Sequence, residues 1–132
     1  MNACAVPRET ALNLWPEIEP LLKRATDRDR GRSTPETLKA LIAENKAHLW
    51  VCDDLSMAMI TTVEKYPTGK LACLVRALGG SGLSHCLDKI DQVVEYARAL
   101  GCDFIEIQGR EGWLKVLPGF EKDATIMTRE LH

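Results

Sequence analysis

Between Lys70 and Phe120 the chain reads KLACLVRALGGSGLSHCLDKIDQVVEYARALGCDFIEIQGREGWLKVLPGF: an apolar strand, a glycine-rich turn, a long amphipathic helix, a second apolar strand and a short helical stretch. No other feature constrains the fold as much. Two strands separated by a helix of this length are expected to lie parallel in one sheet, joined by a right-handed crossover. A strand that empties into Gly79-Gly80-Ser81-Gly82 and then a helix also gathers unpaired backbone N–H groups and the positive end of a helix dipole at one point. Such a point suits phosphate.

The elements before and after this unit follow from periodicity and turn chemistry. Ala3 to Pro7 is a candidate short strand. Leu12, Trp15, Ile18, Leu21 and Leu22 recur at helical spacing after Thr10, and Pro16 and Pro20 predict a kink or a late helix start between Asn13 and Pro16. Lys23 to Ser33 is a run of alternating charge, which most simply is a solvated connector. Thr34-Pro35-Glu36 carries the N-cap, first-turn proline and early acid of a helix start, with Leu38, Leu41 and Ile42 facing inward. His48–Cys52, Ser56–Val63 and Lys70–Val75, joined by Asp53-Asp54 and Tyr66-Pro67-Thr68-Gly69, predict an antiparallel meander. Ala124 to Leu131 alternates enough for a final strand.

Three strings within the unit resemble the GNAT acyltransferases, the GCN5-related N-acetyltransferase family. Glu95-Tyr96-Ala97-Arg98-Ala99-Leu100-Gly101-Cys102 is close to the family's E-W-A-R-x-L-G-A, Asp103-Phe104-Ile105-Glu106-Ile107 follows as the fifth strand, and Gly119-Phe120 falls where the family has its L-G-F. The order β-α-α-β-β-β-α-β-α-β is also that family's. The resemblance implies a mixed α/β (α+β) GNAT-like fold over residues 1–132 as a single acyltransferase domain. Its central sheet would combine an antiparallel meander with one parallel βαβ crossover, and the fourth and fifth strands would splay apart to admit acetyl-coenzyme A (acetyl-CoA).

By that resemblance the cofactor-binding residues are Val75, Arg76, Leu78, Gly79, Gly80, Ser81, Gly82 and Gln108. Backbone N–H groups of the fourth strand would polarise the thioester, and Gln108 would take the place of a cofactor-contacting asparagine. The family's R/Q-x-x-G-x-G/A turn is not reproduced; Arg76-Ala77-Leu78-Gly79-Gly80-Ser81 keeps its arginine and first glycine only. Arg76 reads equally as a phosphate contact or as a strand-edge arginine reaching solvent. Lys115 falls where the family has the tyrosine that protonates the departing thiolate, although a lysine with a free pKa of ~10.4 needs desolvation for that task. Glu64, at the end of the third strand, is the candidate general base, its plainer reading being an exposed strand-end acid. His85 has a suitable intrinsic pKa but reads first as a helix-start residue, and Trp113 as core. The Lys23–Ser33 connection borders the acceptor site in the family, where its arginines would favour an acidic acceptor.

Composition narrows the class. With 45% apolar and 27% charged residues the chain is an ordinary globular domain, and 132 residues bury roughly two thirds of the surface exposed by the unfolded chain. A net charge of −2 and a pI near 5.9 supply no general field for nucleic acid. No run approaches a membrane span, so the expected location is the cytoplasm and neither membrane nor nucleic acid is an expected partner. Cys4, Cys52, Cys73, Cys86 and Cys102 form no C-x-x-C pair, which predicts reduced thiols and no metal site. The functional expectation is transfer of an acetyl group from acetyl-CoA to a primary amine of unknown identity, with homodimerisation left open. The alternative is an inactive GNAT-fold binding or assembly protein, and the Gly-Arg-x-Gly-Trp string resembles small phage and prophage proteins.

Overall fold

The computed structural model describes residues 5–81, 87–108, 114, 117 and 119–131. Helix α1 spans Arg8–Thr26 and α2 spans Pro35–Ala43; strands β1, β2 and β3 span His48–Val51, Met57–Lys65 and Leu71–Gly80; helix α3 spans Leu87–Ala99 and strand β4 Phe104–Ile107. The four strands form one sheet in the order β1-β2-β3-β4. β1, β2 and β3 pair antiparallel, and β4 joins β3 in parallel. The meander and the crossover are therefore both present, and the class is the expected mixed α/β.

Each face of the sheet buries its own core. Ala11, Trp15, Ile18 and Leu22 of α1 and Leu38 and Ile42 of α2 pack on Leu49, Ala58, Ile60 and Ala77. Ile90, Val93 and Ala97 of α3 pack on Trp50, Met57, Met59, Cys73, Val75 and Leu78. Alternate residues of one strand thus serve opposite layers, as the period of two requires.

Helix α1 departs from expectation. It starts at Arg8 and runs through Pro16 and Pro20 to Thr26. A proline in a helix interior costs about 3 kcal/mol. Burial of Trp15, Ile18 and Leu22, at about 1.5–3 kcal/mol each, offsets a cost of that size. Both prolines face solvent. Helix α2 begins as expected: Thr34 accepts a hydrogen bond from the Thr37 N–H, Thr37 Oγ1 accepts one from the Thr34 N–H, and Pro35 opens the first turn.

Four further expectations change. The candidate first strand is reduced to a single bridge between Val6 and Leu49, with Cys4 and the residues before it outside the described residues. The 124–131 segment forms no strand and lies exposed. Strand β3 does not end at Val75; it runs on through Gly79 and Gly80, which pair with Ala58 and Met57. Cys73 and Cys102 are free thiols as expected, but Cys52 is disulfide-bonded, its partner lying outside the described residues.

Candidate active site

The site originates in an irregularity of β3. Ile60 pairs with Ala77 and Thr61 with Val75, so Arg76 is an extra residue on β3 with no counterpart on β2. An inserted residue bends its strand and increases the local twist. On its other side β3 pairs with β4 only from Ala72↔Phe104 to Val75↔Ile107. The near end is anchored by Asp103, whose N–H donates to the Leu71 carbonyl at 2.8 Å while its carboxylate accepts from the Leu71 N–H at 2.9 Å. Pairing ends at the bulge. From Arg76 to Gly80 that edge of β3 is covered by no described strand.

A cleft of about 300 Å³ opens where the strands part. Val75, Arg76 and Leu78 form its floor, Ile107 and Gln108 its β4 side, and Arg28, Asp29 and Arg32, from the turn after α1, its opposite wall. That turn is ordered by its own backbone: the N–H groups of Arg28, Asp29 and Arg32 donate to the carbonyls of Ala25, Thr26 and Asp29 at 3.2 Å each. The charged connection is thus more than a solvated link.

Of the sequence-derived residues, Val75, Arg76, Leu78 and Gln108 meet at this cleft. Arg76 is already engaged: Nε donates to Thr62 Oγ1 at 2.9 Å and Nη2 to Glu64 Oε1 at 2.7 Å. Glu64 lines a neighbouring hollow of about 430 Å³ with His48, Thr61, Thr62, Arg76 and Tyr96. The carboxylate considered as a base and the guanidinium considered as a phosphate ligand are therefore partners of each other. Gly79 and Gly80 belong to the strand, and both are required there for packing. A Cβ on Gly79 would lie 2.0 Å from the Leu21 carbonyl oxygen of α1, and one on Gly80, whose φ is +111°, would lie 2.2 Å from the Ser56 carbonyl oxygen. The Ser81 N–H donates to that same Ser56 carbonyl at 2.9 Å. Gly82, His85, Trp113 and Lys115 lie outside the described residues.

Sequence reasoning missed His48 and Tyr96. Their rings meet edge-on at 5.5 Å, and Tyr96 also meets Trp50 edge-on at 5.3 Å. Burial pushes the His48 imidazole below its ordinary pKa and the Tyr96 phenol above its own, the latter with help from Cys73 and Cys102. The only signal for His48 was its place at the start of a strand. Among the described residues no group of three or more His, Cys, Asp or Glu side chains is arranged to hold a metal ion.

No model of a known protein family matches the sequence, and no curated protein sequence matches it. Solved structures do match its shape. A probable acetyltransferase superposes with a TM-score of 0.65 at 14% identity, covering 92% of this chain and 93% of its own. Glucosamine-6-phosphate N-acetyltransferase from Arabidopsis thaliana gives 0.62 at 11% identity over 98% and 97%. Ribosomal-protein-alanine N-acetyltransferase from Brucella melitensis biovar Abortus 2308 gives 0.57 at 15% identity over 89% and 95%. The chain therefore has the fold of the GNAT acetyltransferases.

Proposed function

We propose that this protein is an N-acetyltransferase that admits acetyl-CoA between β3 and β4 and transfers the acetyl group to a primary amine held against the α1–α2 turn. The observation that carries the reading is the end of β3–β4 pairing at Val75 and Ile107, beside the Arg76 bulge and at the mouth of the cleft. The uncovered edge of β3 supplies backbone N–H groups, and fixed donors of this kind stabilise charge developing on a thioester oxygen without reorganising during the reaction. Leu78 on that edge and Val75 at the last paired position are the donors assigned here, with the Gln108 amide across the opening.

In the reaction the amine nitrogen forms a bond to the thioester carbonyl carbon as the carbon–sulfur bond breaks. The ammonium proton is lost before attack, the nitrogen gives up a second proton as the amide forms, and the leaving thiolate takes up one proton to become the thiol. The protein's largest contribution is to hold the two reactants in line. Glu64 is the candidate for receiving the amine proton through water, and Lys115 for protonating the thiolate. Their replacement by Gln and Ala should lower turnover by about 10²-fold or more if each acts as assigned; wild-type turnover in either variant removes that role.

Acetyl-CoA should raise the unfolding midpoint, because a ligand at 100 times its dissociation constant stabilises the native state by about 2.7 kcal/mol. Absence of any shift at millimolar acetyl-CoA would refute the reading. A shift without coenzyme A release across a broad panel of amines would replace it with a binding protein of the same fold.

A further inference from the structure

The chain has five cysteines. Cys73 and Cys102 are free thiols and Cys52 is disulfide-bonded, so within one chain the partner of Cys52 is Cys4 or Cys86. The alternation of the sheet separates the two. Val6 bridges Leu49 in antiparallel register. Val6, Leu49 and Val51 serve the core beneath α1 and α2, whereas Ala5, Trp50 and Cys52 serve the core beneath α3. Continued by that alternation, Cys4 would stand opposite Val51, on the other face of the sheet from Cys52. Cys86 comes four residues before Ile90 in the sequence, and Ile90, Val93 and Ala97 form the buried stripe of α3. Helical spacing carried one turn back would put position 86 on that same stripe. Ile90 and Cys52 share one core, and Lys89 Nζ lies 3.6 Å from Asp53 Oδ1. The first turn of α3 therefore lies against the residue that follows Cys52.

We infer that Cys52 and Cys86 are joined, and that this bond fastens the connection between β3 and α3 so that acetyl-CoA meets a prepared surface. The second half rests on the transfer reaction proposed above. The β1–β2 turn already holds the other end of that connection, because its Ser56 carbonyl accepts the Ser81 N–H at 2.9 Å. With Cys86 bonded to Cys52, both ends of the stretch 82–86 are anchored to this one turn. The edge of β3 left uncovered by described strands runs from Arg76 to Gly80, directly before that stretch. The staple thus fixes the chain that leaves the cofactor edge, and order imposed in advance removes a cost that binding would otherwise meet. A covalent tie between residues this far apart in sequence also restricts the unfolded chain. The bond forms by exchange: one cysteine thiolate attacks a low-molecular-weight disulfide such as oxidised glutathione and releases one thiol, and the second cysteine then displaces the other. Two protein thiols are oxidised, one glutathione disulfide is reduced to two thiols, and those thiols carry away the two protons.

The experiment uses the full chain, either equilibrated with oxidised glutathione or kept in reductant from the start, and maps tryptic peptides after alkylation of free thiols. Trypsin separates all the cysteines, placing Cys4, Cys52, Cys73, Cys86 and Cys102 in peptides 1–8, 47–65, 71–76, 77–89 and 99–110. The expected result is peptide 47–65 linked to 77–89 in the oxidised sample. A link from 47–65 to any other peptide, or alkylation of both Cys52 and Cys86 after oxidation, overturns the assignment. Cys86→Ser and the reduced wild type should each unfold at least about 5 °C below the oxidised wild type, while Cys4→Ser should match it. In calorimetry, the reduced wild type and Cys86→Ser should bind acetyl-CoA about tenfold more weakly, the size of ordering roughly one further residue on binding. Reoxidation should restore the wild type and leave Cys86→Ser unchanged; the reduced wild type keeps the test valid should Cys86→Ser unfold. Equal affinity in oxidised and reduced wild type overturns the role of the bond at the cofactor edge. Failure of every form to bind acetyl-CoA overturns the transfer reaction and with it that role, while the peptide map still decides the bond.

Discussion

At the residue scale, glycines that look like a ligand turn are explained by packing. Gly79 lies where α1 crosses β3, and a methyl group there would meet the Leu21 carbonyl. Gly79→Ala should therefore cost about 1–3 kcal/mol or more, the range for overpacking against parts that cannot yield. Gly69, in the turn between β2 and β3, has φ +91° but no atom within 4 Å of an added Cβ, so Gly69→Ala should show only the left-handed penalty of about 1–2 kcal/mol. Urea denaturation of the two variants checks the contrast. Gly80→Val would disturb the fold with no ligand present, because any Cβ there meets the Ser56 carbonyl. His48 supplies a pH prediction. Its folded pKa lies below the ordinary 6.5 because burial disfavours the imidazolium, so the unfolded state binds its proton first as pH falls. Stability is then fully present above about pH 6.5 and declines below it, and His48→Gln should flatten that part of a plot of melting temperature against pH. Cys73, raised to about 11 by burial and then by Cys102, should resist alkylation at pH 8 until the chain unfolds, which peptide mapping after labelling would show.

At the scale of elements, α1 shows tertiary packing overriding local preference. Its prolines point to solvent and contribute nothing to either core. Pro20→Ala should restore a backbone hydrogen bond and raise stability, by less than the intrinsic ~3 kcal/mol because alanine also loosens the unfolded chain. A higher midpoint in thermal unfolding is the expected reading; a lower one would mean that the ring packs usefully. Leu22→Ala, on the buried face, should cost about 2–5 kcal/mol. Strand β3 is the element that makes the site, because one extra residue, Arg76, shifts the register of pairing with β2 and coincides with the end of pairing to β4. The 124–131 segment is the opposite case. Ile126, Met127 and Leu131 are exposed, and the ion pair of Glu130 with Arg30 lies at the surface.

At the scale of the whole molecule, two helical layers hold one short sheet so that its parted strands face the α1–α2 turn. No helix among the described residues is long and apolar enough to cross a membrane. Removal of residues 124–132 should lower stability by no more than about 1 kcal/mol, since an exposed ion pair contributes ~0–1 kcal/mol. A larger loss in urea denaturation would show that the segment supports the sheet. The cleft itself joins residues near position 30, position 76 and position 108, and it can form only if α1, β3 and β4 dock together. A destabilising change in α1, such as Leu22→Ala, should therefore weaken acetyl-CoA binding without touching a lining residue.

The order of elements from α1 to β4, the meander, the α2 cap at Thr34 and the parallel crossover were legible in the sequence, because each depends on local periodicity or on a turn residue with a fixed conformational preference. The resemblance to an acetyltransferase core also named Val75, Arg76, Leu78 and Gln108, which the fold brings to the lining of one cleft. The end of β3 was not: Gly79 and Gly80 suit a turn equally well in isolation, and only the carbonyls of Leu21 and Ser56 pressing on them explain why they lie in a strand. Nor could pattern reveal that Glu64 and Arg76 pair across β2 and β3, since strand register and the bulge are set by long-range pairing. Asp29 was one acid in a charged run until the fold buried one of its oxygens beside a cleft. Periodicity chose the elements; burial, register and close approach between distant segments decided what the site is made of.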